Sequence, residues 1–409
     1  QNQSADIRQF QLGLTPTDRA QNQIQLQGQV DFSQPKAIQG NLKLSSDGLD
    51  LTRYYDLFGG AKTQAKAAPT ASTVSPVPVA ANQEPPPVNL PLKNFALAAD
   101  IGELYLHEVA ITNFQTTVKV DGGHVLVKPF QLALNGAPVN ASVDLDLGVP
   151  GYKYNLGLNA DEIPFAPLVD TFAPDRAGQL GGTLTAHAQI VGAGTTGADL
   201  KQNLSGQFDI DATNLNLSVI NVRSAVLKTL INVVATIPQL LSNPENAIAS
   251  LLSHITGQSN SSSGLMNELQ QSPIETIAAR GNAGNGQINL QSTVVQSAAF
   301  EADATGTIEL APELTNSTIN IPITVSLSQA IASQLNLVAA DSASGSAYLA
   351  LPQFLTMTQT LGDPKADINK LALAGIAVKS VGNSLTQPTS NNNSSPVGGL
   401  LNQLLRRVK

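Results

Sequence analysis

Strict alternation of apolar and polar residues is the most frequent pattern along this chain. Residues 139–147 show it plainly, with apolar side chains at the odd positions and Asn, Ser and Asp at the even ones. Because successive side chains of a strand point to opposite faces, this segment is predicted to be a strand with one apolar and one polar face. Asn135-Gly136, just before it, tolerates positive φ and therefore predicts a tight hairpin turn.

The same alternation recurs over most of the sequence, in short segments bounded by Gly, Pro, Asn or Asp. The predicted strands fall within residues 23–44, 102–130, 152–158, 182–190, 204–217, 286–295, 299–310, 318–328 and 364–375. Such a succession of half-apolar strands indicates a mainly β fold. The predicted architecture is a long antiparallel curled sheet, or groove, with a small helical insertion.

Two segments interrupt the alternation. Residues 61–92 are rich in Ala, Pro and Thr and include PPP at 85–87, a composition that predicts a disordered or polyproline-like loop. Between residues 219 and 270 the apolar positions lie three or four apart, which predicts helices at 219–241 and 244–256 and a shorter one at 264–270. The helix at 219–241 is expected to pack its apolar stripe against the sheet rather than on a membrane.

These changes of pattern divide the chain into six segments. They are an N-terminal β segment of the groove (1–60), the Pro/Ala-rich disordered loop (61–92), the main β-groove (93–218), the helical insertion (219–270), a C-terminal β region (271–383), and a linker with a short basic amphipathic tail (384–409). The tail suits an anionic lipid surface and equally a solvated chain end, and both interpretations stay open.

Composition narrows the class of protein. Hydrophobic residues make up 42% of the chain and charged residues 13%, with a formal net charge of −8. The acidic balance argues against a nucleic-acid partner, because no basic stripe is present to meet phosphates. The absence of cysteine excludes disulfides and thiolate metal sites. No apolar run reaches the roughly 18 residues that a transmembrane helix needs.

Motifs for catalysis or metal binding are sparse. The four histidines are dispersed, and the sequence contains no HExxH, GxSxG or strand-following GxGxxG motif. Two acidic pairs, Asp144/Asp146 and Asp209/Asp211, have the i, i+2 spacing that places both carboxylates on one strand face, where they could bind Ca²⁺ or perform acid–base chemistry. That face is opposite the apolar one, however, and solvation alone explains it. We therefore expect no enzyme activity, no cofactor and no metal.

What covers the apolar face decides the function. Two such faces can pack together as a sandwich, or one sheet can curl into an open trough whose apolar face lines a channel for acyl chains. The alternation by itself favours neither arrangement.

Several stretches of the chain resemble the AsmA family of bacterial envelope proteins. They are the strand pair IGELYLHEVAITN, the DGG turn, the hairpin PFQLALNGAPVNASVDLDL, and GGTLTAHAQIVGAGTT followed by LSGQFDI, all within residues 93–220. A later segment, GNGQINLQSTVVQSAAFEADATGTIEL, resembles the C-terminal region of that family. The chain departs from the family pattern in its long low-complexity inserts and in lacking an N-terminal anchor helix.

The resemblance implies a lipid-transfer protein of the Gram-negative periplasm. Family members are anchored in the inner membrane, have a long β-groove similar to that of bridge-like lipid-transfer proteins, and support outer-membrane biogenesis and phospholipid transport between membranes. The expected partners are a phospholipid or other acyl-chain lipid, a membrane surface reached through an anchor not present in this chain, and envelope proteins, with no nucleic acid. The chain opens on Gln1 without an initiator Met, so we expect a signal or anchor to precede it in the full-length protein.

The alternation and the resemblance together assign a set of residues to the groove lining. They are Phe114, Val118, Val120, Val139, Val143, Leu145, Leu147, Leu156, Leu158, Leu184, Ile190, Ile321, Ile323 and Val325. The competing hypothesis is a structural or adhesive β-scaffold of the cell envelope, in which the apolar face is fully self-buried and transfers no lipid.

Overall fold

A computed structural model describes residues 3–59, 83–217, 272–335, 337–338, 347–369, 371–372 and 375–376. The predicted helices at 219–241, 244–256 and 264–270 lie outside the described residues. So do residues 61–82 of the predicted loop and the predicted tail at 384–409.

Strands dominate the described chain. They are β1 (Ser4–Gly13), β2 (Gln23–Asp31), β3 (Ile38–Asp50), β4 (Leu92–Leu106), β5 (Val109–Asp121), β6 (His124–Leu134), β7 (Ala137–Asp146), β8 (Lys153–Pro164), β9 (Thr183–Ala193), β10 (Ser205–Thr213), β11 (Ile274–Gly284), β12 (Gln287–Ser297), β13 (Phe300–Glu309), β14 (Thr318–Ser328), β15 (Tyr348–Ala350), β16 (Leu355–Gln359) and β17 (Pro364–Ile368). The described helices are short: α1 (Thr52–Gly59), α2 (Phe165–Phe172), α3 (Gly197–Asn203) and α4 (Gln329–Gln334), with 3₁₀ turns at Pro174–Arg176 and Leu314–Asn316.

All seventeen strands belong to one sheet. From β1 to β14 each strand pairs with its neighbour in sequence; β14 then pairs with both β15 and β16, and β16 with β17. Among the described strands β1 pairs only with β2 and β17 only with β16, so the sheet is open at both ends. The predicted mainly β fold with one long sheet is confirmed.

One strand pair departs from the predicted antiparallel order. β3 and β4 run parallel, with Leu42 opposite Leu97 and Leu49 opposite Leu104. A parallel pair needs a connection of a dozen or more residues, because the chain must return to the end at which the first strand began. The connection, residues 51–91, supplies that length. The sheet is therefore mixed, and the long insertion after β3 is the cause.

The two long edges of the sheet, where strands end and turn, differ in structure. We call the edge that carries α1 and α2 the helix rim; there Tyr55 of α1 meets Phe172 of α2, with ring centroids 6.3 Å apart. We call the opposite edge the turn rim. It contains the β5–β6 turn at Gly122–Gly123, the β7–β8 turn and the α3 segment that links β9 to β10.

Three of the short helices, α2, α3 and α4, lie between segments predicted as strands, whereas helices were predicted only at 219–241, 244–256 and 264–270; in this respect the prediction was wrong. Side-chain caps mark two of them: Thr196 Oγ1 accepts from the Asp199 amide before α3, and Ser328 Oγ accepts from the Ile331 amide before α4, both at 3.4 Å. A Ser or Thr that caps the third residue after it is a helix-start signal. Each helix has eight residues or fewer, about two turns, which is too short to alter the period of the surrounding sequence.

The predicted hairpin turn between β6 and β7 is confirmed. Asn135 and Gly136 have φ of 51° and 87°, and Asn285 and Gly286, between β11 and β12, have φ of 52° and 76°. Two successive residues with positive φ form the turn whose twist matches that of the flanking strands. These turns fix the register of the apolar positions on the strands that they connect.

The most deeply buried core lies at the C-terminal end of the sheet. Val325, Leu355, Met357 and Ala332 are fully buried there, together with residues from β11 to β16 and from α4. A smaller cluster lies beneath α2, where Leu168 packs against buried residues of β7 and β8. Side chains on the same face of the sheet between these clusters are mostly half-buried.

Candidate functional site: an apolar face that crosses the sheet

Cross-strand pairing defines the apolar face, because directly opposed residues of neighbouring strands point to the same side. One row of opposed residues takes a member from every strand between β1 and β14, and every member is apolar. The row is Ile7, Gly28, Leu42, Leu97, Val118, Val127, Val143, Leu156, Ile190, Gly206, Ala283, Ile288, Ile308 and Ile319. At about 4.8 Å per strand, this row is about 60 Å long.

A matching row on the other side of the sheet is polar throughout. From β1 to β12 its members are Gln11, Gln25, Ser45, Asp100, Gln115, Gln131, Asn140, Asn159, His187, Asp209, Arg280 and Ser292. The sheet thus separates a continuous apolar face from a solvated outer face along most of its length.

Two glycines in the apolar row are required by the close approach of neighbouring strands. Gly28 and Gly206 have φ of 138° and 149°, in a region that other residues rarely adopt. A Cβ at either position would collide with a backbone oxygen, that of Asn41 at Gly28 and that of Gln189 at Gly206. These positions bring adjacent backbones together without interrupting the apolar row.

The structure places nearly all of the predicted lining residues on this face. Val118, Val143, Leu156 and Ile190 belong to the row itself, and the others are related to it by the alternation of their own strands. These others are Phe114, Val120, Val139, Leu145, Leu158, Leu184, Ile321, Ile323 and Val325. Leu147 lies just beyond β7 in the turn rim, where its amide donates to the Gly123 carbonyl at 2.7 Å.

Exposure of these residues changes along the sheet. Leu156 is 36% exposed, and Ile210, on the same face of β10, is 42% exposed. Val118, Val143 and Ile190 are half-buried. Ile323 and Val325 are 3% and 0% exposed and lie inside the C-terminal core with Ile321. The face is therefore open to solvent in the middle of the sheet and closed at β14.

Several members of the row were not among the predicted lining residues, including Leu42, Val127 and Ile308. Register shifts explain the omission of Val127: β6 is bulged between Val127 and Phe130, so both side chains lie on the apolar face although they are three positions apart. A bulge changes which parity faces inward and leaves the alternation on either side unbroken. Pro129 within the apolar stretch was the available signal.

At the turn rim, residues 84–91 form a clasp along the ends of the strands. Val88 N–H donates to the Leu147 carbonyl at 2.8 Å, Leu90 N–H to Gly122 at 3.2 Å, and Gly151 N–H to Pro85 at 2.9 Å. Residues 84–91, the end of the loop predicted as disordered or polyproline-like, thus form neither strand nor helix up to Leu90 but are hydrogen-bonded to neighbouring turns. The prolines of this segment have no N–H group that would need a hydrogen-bond partner. Their neighbours bond to turns that are distant in sequence, and a local sequence pattern does not predict such contacts.

Glu84 anchors the clasp to the segment before α3. Its carboxylate accepts hydrogen bonds from the Thr195 amide (2.8 Å) and hydroxyl (2.9 Å) and from the Thr196 amide (2.8 Å). Burial by itself would raise the pKa of Glu84, but the bonds from Thr196 and Thr195 outweigh it and lower that pKa from 4.5 to about 2. The hydrogen bond to Glu84 raises the pKa of Asp199. Glu84 is thus held as a carboxylate.

At the helix rim, Arg19 fastens the β1–β2 loop to the end of β3. Its guanidinium lies 3.1 Å from the Asp50 carboxylate, donates to the His107 carbonyl at 2.8 Å, and stacks over Tyr105 at 4.9 Å. Burial opposes ionisation of Asp50, yet bonds from Thr52 and the Arg19 charge lower its pKa overall. The network joins the β1–β2 loop to the end of β3 and to the β4–β5 turn.

The acidic pairs lie on the outer face, as the alternation predicted. Asp144 pairs with His124 at 2.6 Å and Asp209 with Arg280 at 2.7 Å. Over the described part of the chain, no group of three or more His, Asp or Glu side chains has the arrangement of a metal site. None of the described helices is long and apolar enough to span a membrane.

The comparison with known protein families gives one match. The model of the AsmA family matches residues 11–293 of the 409, a span that runs from the end of β1 through β11 and most of β12. No curated protein and no solved structure matches the chain. The family match covers well over half of the sequence and contains most of the apolar row. This chain belongs to the AsmA family.

Proposed function

We propose that the protein binds phospholipids or other acyl-chain lipids along its apolar face and transfers them between membranes of the bacterial envelope. The observation that carries the proposal is the unbroken apolar row from Ile7 to Ile319, which is half-buried or exposed in the middle of the sheet. An apolar face of this size is unfavourable in water unless something covers it. Acyl chains are apolar and can supply that cover.

An acyl chain is bound and moved most favourably on an apolar face that has no gaps. Each methylene moved from water onto an apolar surface gains about 0.8 kcal/mol, so a gap in the row would be a barrier to a moving chain. The row has no polar member over about 60 Å, a length that spans several lipid molecules side by side. The polar outer face of the sheet stays hydrated while lipid covers the apolar face. No catalytic step enters this proposal, and no cofactor is needed for it.

Membership of the AsmA family supports a proposed cellular setting. We place the protein in the periplasm of a Gram-negative cell, tethered to the inner membrane in its full-length form and supporting outer-membrane biogenesis. Its proposed partners are the lipid, a membrane surface and other envelope proteins.

Native mass spectrometry of the purified chain tests the proposal. We expect adducts with the masses of phospholipids after purification from a Gram-negative host, and uptake of further lipid on incubation with phosphatidylcholine vesicles. A protein that carries no lipid and takes none from vesicles would instead be a self-buried envelope scaffold, and the proposal would fail.

A further inference from the structure

Two threonines place hydroxyl groups among the apolar side chains of the apolar face. Thr116 lies near the middle of β5, directly opposite Ala99 on β4 and Phe130 on β6. Its Oγ1 atom is buried and has no hydrogen-bond partner within the described chain. The rings of Phe114 and Phe130 meet edge to face nearby, with centroids 5.5 Å apart. The hydroxyl is therefore surrounded by groups that cannot bond to it.

Thr293 repeats this arrangement far along the same face. It lies near the middle of β12, opposite Ala279 on β11 and Ala304 on β13. Its Oγ1 is also buried and unpartnered in the part of the chain that the structure describes. Each threonine thus has at least one alanine directly across from it, so a small side chain without polar atoms lies beside each hydroxyl.

An unpartnered buried hydroxyl is unfavourable compared with a methyl group of the same size. Burial removes the bonds that the hydroxyl made to water, and nothing in these surroundings replaces them. Valine has the same shape as threonine and suits a strand equally well. Both threonines are half-buried as whole residues, so a small shift of a neighbouring side chain opens the hydroxyl to a molecule lying on the face.

We propose that Thr116 and Thr293 donate hydrogen bonds to ester carbonyl oxygens of lipids lying on the apolar face, an inference that rests on the proposed function. A threonine hydroxyl is a donor, and the ester carbonyl is the acceptor nearest to the tails of a diacyl lipid. The charged phosphate stays in water on the open side of the trough, because an ion resists desolvation. The ligands selected in this way are acyl esters rather than alkyl ethers.

Competition between two matched lipids tests the inference on the full 409-residue chain. The probes are dioleoyl phosphatidylcholine and its di-ether counterpart with the same chains and headgroup, offered in equal amounts and counted by native mass spectrometry. One hydrogen bond of this kind corresponds to about fivefold discrimination, so we expect the native chain to favour the ester lipid by about that factor. The double variant Thr116→Val with Thr293→Val should bind both lipids equally, with ether binding unchanged and thermal stability equal or higher.

Control variants separate this role from packing. Thr117→Val and Thr307→Val alter threonines on the outer face of β5 and β13 and should keep the ester preference. Equal binding of the two lipids by the native chain would overturn the inference while leaving lipid binding intact. Equal loss of both lipids in the double variant would also overturn it, because the threonines would then act by shape. Absence of any lipid binding would count against the proposed function itself.

Discussion

At the scale of single residues, the exposure of a position on the apolar face determines how far a charge introduced there lowers the stability of the fold. Val143 is half-buried in the open part of the face, whereas Val325 is fully buried in the C-terminal core. We expect Val143→Asp to stay folded, losing about 1–2 kcal/mol of stability, because its carboxylate can remain hydrated, and to bind fewer lipid molecules than the native chain, because tails near β7 would meet a charge. Val325→Asp should cost more than about 4 kcal/mol and unfold the C-terminal end. Circular dichroism melts and lipid counts by native mass spectrometry measure both outcomes.

The matched control is Ser142→Asp, one position away from Val143 and on the outer face. It adds the same charge to the same strand and should leave both folding and lipid binding unchanged. Unfolding of Val143→Asp to the extent seen for Val325→Asp would show that the face is closed at β7 and would count against the groove.

At the scale of elements, the clasp at residues 84–91 should respond to acid through Glu84. The pKa of Glu84 is lowered from 4.5 to about 2, so its contribution to stability is full above pH 4.5 and is lost as the pH falls toward 2. The raised pKa of Asp199 opposes part of this contribution. Because Glu84 is only half-buried and its charge is partly screened, we expect Glu84→Gln to lower the melting temperature by only about 2 °C at pH 7, and the difference should shrink below pH 4.5.

Melting curves of the native chain and the variant between pH 2.5 and 7 check this expectation. Glu275→Gln, which removes an exposed carboxylate on β11 away from the clasp, serves as the control and should show no such trend. A difference that stays constant with pH would mean that Glu84 acts by shape rather than by charge.

The elements also show how far the sequence could be interpreted in advance. Period-two alternation predicted the strands and the shared face of Val139, Val143 and Leu145, because alternation is a direct record of burial. The alternation did not predict that β3 and β4 pair in parallel, because the direction of pairing depends on the end of the sheet at which the connection between the two strands enters the second one. The clasp was hidden for a related reason: its bonds join residues such as Glu84 and Thr195 that are far apart in sequence. Closure of the face at β14 depends on α4 and β16, which a local pattern does not position.

At the scale of the whole molecule, burial is uneven, and so local stability should be uneven too. The fully buried side chains of largest volume all lie between β11 and β16, whereas the row from β1 to β10 is mostly half-buried. We expect amide hydrogens of β13, β14 and β16 to exchange at least tenfold more slowly than those of β6 to β9. Hydrogen exchange followed by mass spectrometry resolves the two regions.

Lipid loading gives this measurement its control. Added phosphatidylcholine should slow exchange in β6 to β9 and leave the C-terminal core unchanged, because only the open face gains a cover. Uniform exchange along the whole sheet would contradict the burial gradient.

Because strands pair with their neighbours in sequence, the length of the sheet can change without a change in the rest of the fold. A hairpin such as β6–β7 touches only β5 and β8 through its ladder, and removing it would leave the two flanking strands still antiparallel. Each hairpin contributes about 10 Å to the face without altering its cross-section. Like a solenoid, such a protein can be extended or shortened by whole hairpins over evolutionary time. In the proposed function, its span would then follow the distance between two membranes while the surface presented to each acyl chain stayed the same.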